Sequence, residues 1–282
     1  MTFEVTFVVL LAAALHAGWN TLIKIHGDRM IVMAVVTCFG SMFSLLFIPF
    51  VEFPNSASLP FLGLAILLHT AYHLFLPIAY NHGDLGQVYP IARGSAPLLV
   101  TVGALVIAGE QLAPLAVLGV MFLTSGVMAL TFERGGRFWH RPKAVLYALM
   151  TGVLIASYTV VGGLGVRQAG TVLGFAVWLT VANGLLTFLI VYMWKGGKTF
   201  IVAKQNCVTG LLGGIMQVSA YWIIVWALAF APMAAVSALR ETSVLFAAMI
   251  STFILKEGFG VWRFISAGLI SLGLIATKVG KQ

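Results

Sequence analysis

GDLGQVYPIARGSAPLLVTVGALVIAGEQLAPLAVLGVMFLTSGVMAL, residues 83–130, sets one arginine inside an apolar run of helix length. Arg93 lies between Pro90 and Pro97, and Glu110 closes the run. A shift of 147 residues brings the arrangement back, with Arg240 in a second apolar run that ends at Glu257. With eight acidic residues in the whole chain, two Arg-to-Glu intervals of 17 are a poor match to chance. The same offset sets Gly63 on Gly210, Leu98 on Leu245, Gly126 on Gly273 and Ala129 on Ala276. The first spans align at an offset of 139, with Trp19 opposite Tyr158.

The residues around this stretch exclude an ordinary soluble domain. Hydrophobic residues make up 61% of the chain and charged ones 9%, where soluble proteins carry about 25% charge. Apolar runs of about 20 residues match a hydrocarbon core of about 30 Å. A backbone in lipid must satisfy its own hydrogen bonds, so these runs read as helices. The net charge of +8 is scattered over short loops and forms no basic patch for nucleic acid. Cys38 and Cys207 sit in apolar runs without metal-ligand spacing. The N-terminal run lacks a basic flank and reads as a first span, not a removed signal.

Ten spans fit, near 5–23, 31–51, 59–81, 85–108, 112–132, 143–163, 172–194, 206–230, 233–255 and 261–278. The basic stretch ERGGRFWHRPK at 133–143 divides them into two halves of five. The expected fold is therefore an all-α polytopic membrane protein of ten transmembrane helices in two five-helix repeats, 1–132 and 143–282, joined by a basic loop at 133–142. Because five is odd, the second repeat enters from the opposite side, the inverted arrangement of many transporters. One set of loops holds Lys24, Arg29, Arg134, Arg137, Arg141, Lys143, Lys195, Lys198, Lys204, Lys256 and Arg263. The other side, with both termini, holds only Arg167, Lys278 and Lys281. The positive-inside rule then sets both termini outside the cytoplasm.

The candidate functional residues follow from what is costly in lipid. An arginine at bilayer depth needs a partner or a wet cavity. Arg93 and Arg240 each lie about eight residues into helices that start from opposite faces, which brings them to similar depth. Their planar forks suit a carboxylate or phosphate; the alternative is a structural pairing with Glu241, Glu110, Glu257 or freed carbonyls. Pro90 and Pro97 predict an interrupted, hinged or statically kinked fourth helix. His16, Trp19 and Asn20 share one face of the first span, and His69, Tyr72 and His73 share one of the third. Gln217 and Tyr221 share a face of the eighth, and with Tyr158, Trp178, Asn183, Trp222 and Trp226 they offer walls for a pocket. Glu241 is set to neutralise Arg240 or to couple transport to protons; Glu110 and Glu257 either latch one face or are ordinary solvated helix ends. No catalytic constellation such as GxSxG, HExxH or a phosphate-binding loop is present.

At these residues the chain resembles the drug/metabolite transporter superfamily, in particular its ten-helix EamA-like members. The resemblance spans essentially the whole chain and rests on PIARGSAPLLVTVGALVIAGEQL at 90–112 and LRETSVLFAAMISTFILKEG at 239–258. It implies alternating access by two helical bundles around a central cavity and a small metabolite as cargo, often exported. Two departures stand out. Gln87-Val88-Tyr89-Pro90 replaces the Asn-Tyr-Leu-Trp-Pro-like segment of the family's aromatic amino-acid exporters, and the charge bias opposes the cytoplasmic termini of many members.

The expected function is a secondary transporter, an exporter by the resemblance, of a small anionic or zwitterionic metabolite such as an amino acid or organic acid. It would lie in the bacterial inner membrane, as monomer or homodimer, with the lipid bilayer and a small-molecule substrate as partners and no nucleic acid. Arg93, Arg240, His16, Trp19, Asn20, Tyr72, His73, Gln217 and Tyr221 would bind substrate; Glu241, Pro90, Pro97, Glu110 and Glu257 would couple or gate. No cofactor, metal or catalytic residue is expected. The alternatives are a non-transporting membrane subunit of a lipid-linked-sugar translocation system and a cation or metal permease.

Overall fold

A computed structural model describes residues 3–24, 28–83, 85–134, 142–246, 249 and 260–280. Its described residues are helical, with short 3-10 turns and no strand. In chain order the helices are α1 (Phe3–Lys24), α2 (Arg29–Leu45), α3 (Leu59–His82), α4 (Leu85–Val106), α5 (Pro114–Ala129), α6 (Pro142–Gln168), α7 (Val172–Lys195), α8 (Lys198–Gln205), α9 (Cys207–Phe230), α10 (Met233–Arg240) and α11 (Val261–Val279). Among the described residues seven stretches are long and apolar enough to cross a membrane, and α2 and Val261–Thr277 are shorter apolar helices. The expected ninth span begins with α10 and continues helically at 243–246; its remainder lies outside the described residues. The helix beyond the expected ten is α8, eight residues between α7 and α9 in a stretch expected to be a loop.

The helix boundaries have local causes. Asp28 caps α2 by accepting from the Met30 amide at 3.1 Å, and Thr171 caps α7 by accepting from Gly174 at 3.1 Å. Pro114 and Pro142 open α5 and α6, where a missing N–H costs nothing. Gly196, at φ +62°, ends α7 in a backbone conformation that a side chain would disfavour.

Packing follows from small residues and self-satisfied hydroxyls. Gly119 and Gly273 bring α5 and α11 together so closely that a Cβ on either would lie 2.6–2.7 Å from the other's carbonyl oxygen. Helix α2 is buried on both sides: Gly40 meets Gly214 of α9, and Gly184 of α7 meets the Thr37 carbonyl. Ser41 Oγ donates to the Val181 carbonyl at 2.7 Å, tying α2 to α7. Elsewhere Thr101, Thr151, Thr159 and Thr277 donate to carbonyls four residues back, which keeps buried hydroxyls satisfied without water. Leu67, Val102, Leu118, Leu212 and Leu272 stay exposed on the outer faces, in keeping with contact with lipid rather than with a soluble core. The main apolar cluster gathers α1, α3, α4, α6, α7, α9 and α10.

The interruption expected at Pro90 and Pro97 is not where the break lies. Both prolines sit inside a continuous α4. Its counterpart is the one interrupted: α10 ends at Arg240, Glu241 and Thr242 form a turn, and helix resumes at 243.

Candidate substrate site

The α10 break sets Glu241 between the two arginines. Arg93 Nε lies 2.9 Å from Glu241 Oε2, an ion pair between side chains that are 2% and 0% exposed. Arg93 Nη2 also donates to Ser243 Oγ at 3.3 Å. Arg240 Nε is farther from the same carboxylate, 4.0 Å from Oε1. The two arginines therefore meet at one carboxylate, but in different circumstances. Arg93 is held by Glu241 and lies off the cavity. Arg240 lines the cavity, with Nη1 donating to Tyr158 Oη at 3.5 Å. Its Nε and Nη2 have no hydrogen-bond partner among the described residues.

The cavity lies among α1, α3, α6, α9 and α10. His16, Trp19, His69, Tyr72, His73, Tyr158, Gln217, Tyr221 and Arg240 line it, with Ala12, Ala220 and Ile224. Every sequence-predicted substrate residue except Arg93 and Asn20 is present. Asn20 Nδ2 donates instead to the His16 carbonyl at 2.8 Å, one turn back on its own helix. Trp178, Trp222 and Trp226 pack elsewhere: Trp222 Nε1 donates to Thr180 Oγ1 at 3.2 Å, and Trp178 and Trp226 meet Phe53 and Phe230. Asn183 Nδ2 donates to Thr70 Oγ1 at 3.0 Å.

Aromatic contacts stiffen the walls. His69 stacks on Tyr158 with ring centres 3.9 Å apart and meets Tyr221 edge-on at 4.6 Å. Trp19 Nε1 donates to His16 Nδ1 at 3.3 Å, and Gln217 Nε2 lies 3.5 Å from His73 Nε2. His16 Nε2 and His69 Nδ1 are buried without partners among the described residues. An HxxxH pair suggests metal, yet no three His, Cys, Asp or Glu side chains converge among the described residues. The cavity is narrow at about 40 Å³, room for about three or four waters at roughly 10–15 Å³ each. A molecule of metabolite size is too large for this space as it stands.

The two ends of the bundle are tied by separate ion pairs. At one, Glu110 accepts from Arg167 Nη2 at 2.7 Å and from the Met233 amide at 2.9 Å. It thus joins the ends of α4 and α6 to the start of α10, where a carboxylate also complements the helix dipole. Arg167 further donates to the Leu228 and Ala231 carbonyls at 3.0 and 2.9 Å. At the other end Lys195 Nζ meets Asp28 Oδ2 at 3.0 Å, and Arg29 lies 5.5 Å over the Tyr80 ring. Burial alone pushes the Asp28 carboxyl up; the Lys195 ammonium and the Met30 amide outweigh it and hold it below its usual value. Glu257, the second expected latch, lies outside the described residues.

A solved crystal structure of another protein superposes with a TM-score of 0.75 over 99% of this chain and 96% of its own, at 16% identity. That likeness shows the shared fold alone. The chain matches none of the curated proteins. Residues 142–278 match the model of the EamA-like transporter family. Residues 142–278 accordingly carry an EamA-like transporter family domain, consistent with a membrane transporter of the drug/metabolite type.

Proposed function

We propose that the protein moves a small anionic or zwitterionic metabolite, such as an amino acid or organic acid, by alternating access, with Arg240 holding the acidic group. One observation carries the reading: Arg240 lines the cavity and approaches Glu241 only to 4.0 Å, while Arg93, off the cavity, lies 2.9 Å from the same carboxylate. A guanidinium so placed in lipid is costly unless an anion or water meets it. His16, Trp19, Tyr72, His73, Gln217 and Tyr221 form the rest of the site, and Arg93 and Asn20 act behind it.

Two inverted five-helix repeats, 1–132 and 143–282, provide the moving bodies, with 133–142 as their link. The exchange of partners supports this. Helix α1 packs on α9, and α3 packs on α6; α2 packs on α7, and α5 on α11. Each is the pairing a two-fold relation between halves requires, since the repeat offset equates α1 with α6, α2 with α7, α3 with α9 and α5 with α11. The family match from 142 onward agrees with a unit beginning there. The charge bias favours both termini outside the cytoplasm, in a bacterial inner membrane. Glu110 then closes the outer mouth, and Pro90 and Pro97 let α4 flex.

A cation or metal permease would need Glu241 and the histidines around one cavity, with the arginines turned away. Here Arg240 faces the cavity and Glu241 pairs with Arg93. Purified protein in liposomes, assayed for counterflow of organic acids and amino acids, tests the proposal. Transport lost in Arg240→Gln with folding intact is expected. Transport of no solute would favour a non-transporting subunit of a lipid-linked-sugar translocation system.

A further inference from the structure

Two buried guanidinium groups share one carboxylate. Arg93, Arg240 and Glu241 together leave one unbalanced positive charge, and no lining residue of the cavity is acidic. Glu241 sits where the repeat sets Gly94 in the first half, 147 residues earlier, so the second half alone supplies a counter-charge. The carboxylate is committed to Arg93 at 2.9 Å, and only a loose 4.0 Å approach links it to Arg240. An incoming anion can replace that loose contact without breaking the tight one.

We infer that Glu241 sets the charge of the cargo: by neutralising Arg93 it leaves room for a single anionic group, at Arg240. A second anionic group would lie in a narrow cavity walled mostly by aromatic and imidazole rings, with no second cation to meet it. Removing the Glu241 charge frees Arg93 and makes room for two. This rests on the anionic-cargo reading above and adds the charge and the residue that determines it.

The test is equilibrium binding of radiolabelled benzoate, phthalate and benzamide to purified protein at neutral pH and constant ionic strength. Wild type is expected to bind benzoate about tenfold or more tightly than phthalate, since an unpaired buried charge is heavily penalised. Glu241→Gln should shift preference toward phthalate. The double variant Arg93→Gln/Glu241→Gln, which restores one net positive charge, should return it to benzoate. Because the double variant contains the single one, a purely structural role for Glu241 predicts weakened binding in both with no reversal, which would overturn the inference. Phthalate at or above benzoate in wild type would overturn it too. Benzamide binding as tightly as benzoate, or no dependence of benzoate binding on Arg240, would instead remove the anionic-cargo reading itself.

Discussion

Arg167 reaches Glu110 at 2.7 Å across one mouth of the bundle, and the same carboxylate accepts the Met233 amide. One side chain therefore joins an ion pair to a helix cap. Glu110→Gln keeps a hydrogen-bonding shape but loses the charge that serves both. About 1–2 kcal/mol of closure should go with it. That corresponds to roughly 5–30-fold in the open population. In a background lacking Cys38 and Cys207, Ala220→Cys in the cavity wall should react faster with a membrane-impermeant maleimide once Glu110 is changed. Equal rates would show that this contact does not hold the mouth shut.

Arg93 and Arg240 should fail differently when changed. Arg93→Gln leaves Glu241 buried with no close partner, a class of loss that costs about 3–5 kcal/mol. Thermal stability and folded yield should fall sharply. Arg240→Gln removes the 4.0 Å approach to Glu241 and the long 3.5 Å bond to Tyr158 but leaves Glu241 paired with Arg93, so stability should stay near wild type while transport disappears. Matching stability losses in the two variants would contradict the division of labour between them.

Gly119→Ala should weaken the α5–α11 pairing. The added Cβ meets the Gly273 carbonyl and the Thr277 hydroxyl and amide, and these are mostly backbone groups that cannot rotate aside. Overpacking of this kind costs about 1–3 kcal/mol. Gly268→Ala on the same α11 helix is the comparison, because nothing lies within 4 Å of its Cβ position. Melting temperatures in detergent should separate the two variants.

The Asp28–Lys195 pair predicts a modest pH effect outside the membrane span. The folded carboxyl is held below its usual value, so its contribution is present above the unfolded pKa of about 3.9. It is lost as pH falls through the lower folded value. Lys195 is 39% exposed and screened by salt, so the effect should stay under about 1 kcal/mol. Melting curves of wild type and Asp28→Asn should differ by a constant amount from pH 5 to 7 and converge in stronger acid. A gap unchanged down to pH 2 would assign the difference to capping instead.

Hydropathy alone was enough to place most spans, because lipid forces an apolar run to become a helix whatever its neighbours. It could not find α8, whose eight residues mix Lys198, Lys204 and Gln205 with Phe200 and Ile201. The cavity wall was legible from helical spacing: His16, Trp19, Tyr72, His73, Gln217 and Tyr221 all reach it. Asn20 shared that spacing, but a short amide can fold back on its own helix, and spacing cannot tell the two outcomes apart. The helix break was misread because proline is its usual cause. At Glu241–Thr242 neither proline nor glycine is present, and the turn coincides with the ion pair to Arg93. Glu110 and Met233 are 123 residues apart, and no local pattern announces a cap supplied from such a distance.

Helix α10 has Glu110 against its first amide and Arg240 as its last residue. Eight residues make a rod of about 12 Å, too short to bend appreciably and free of proline. The mouth and the site are thus two ends of one lever. On the proposed reading, a pull on the guanidinium by cargo would tilt the whole rod, and a tilt of about 10° would move the far end by about 2 Å over that length, enough to part a hydrogen bond. Loading the cavity and releasing the bolt would then be a single mechanical event, with no signal to relay between them.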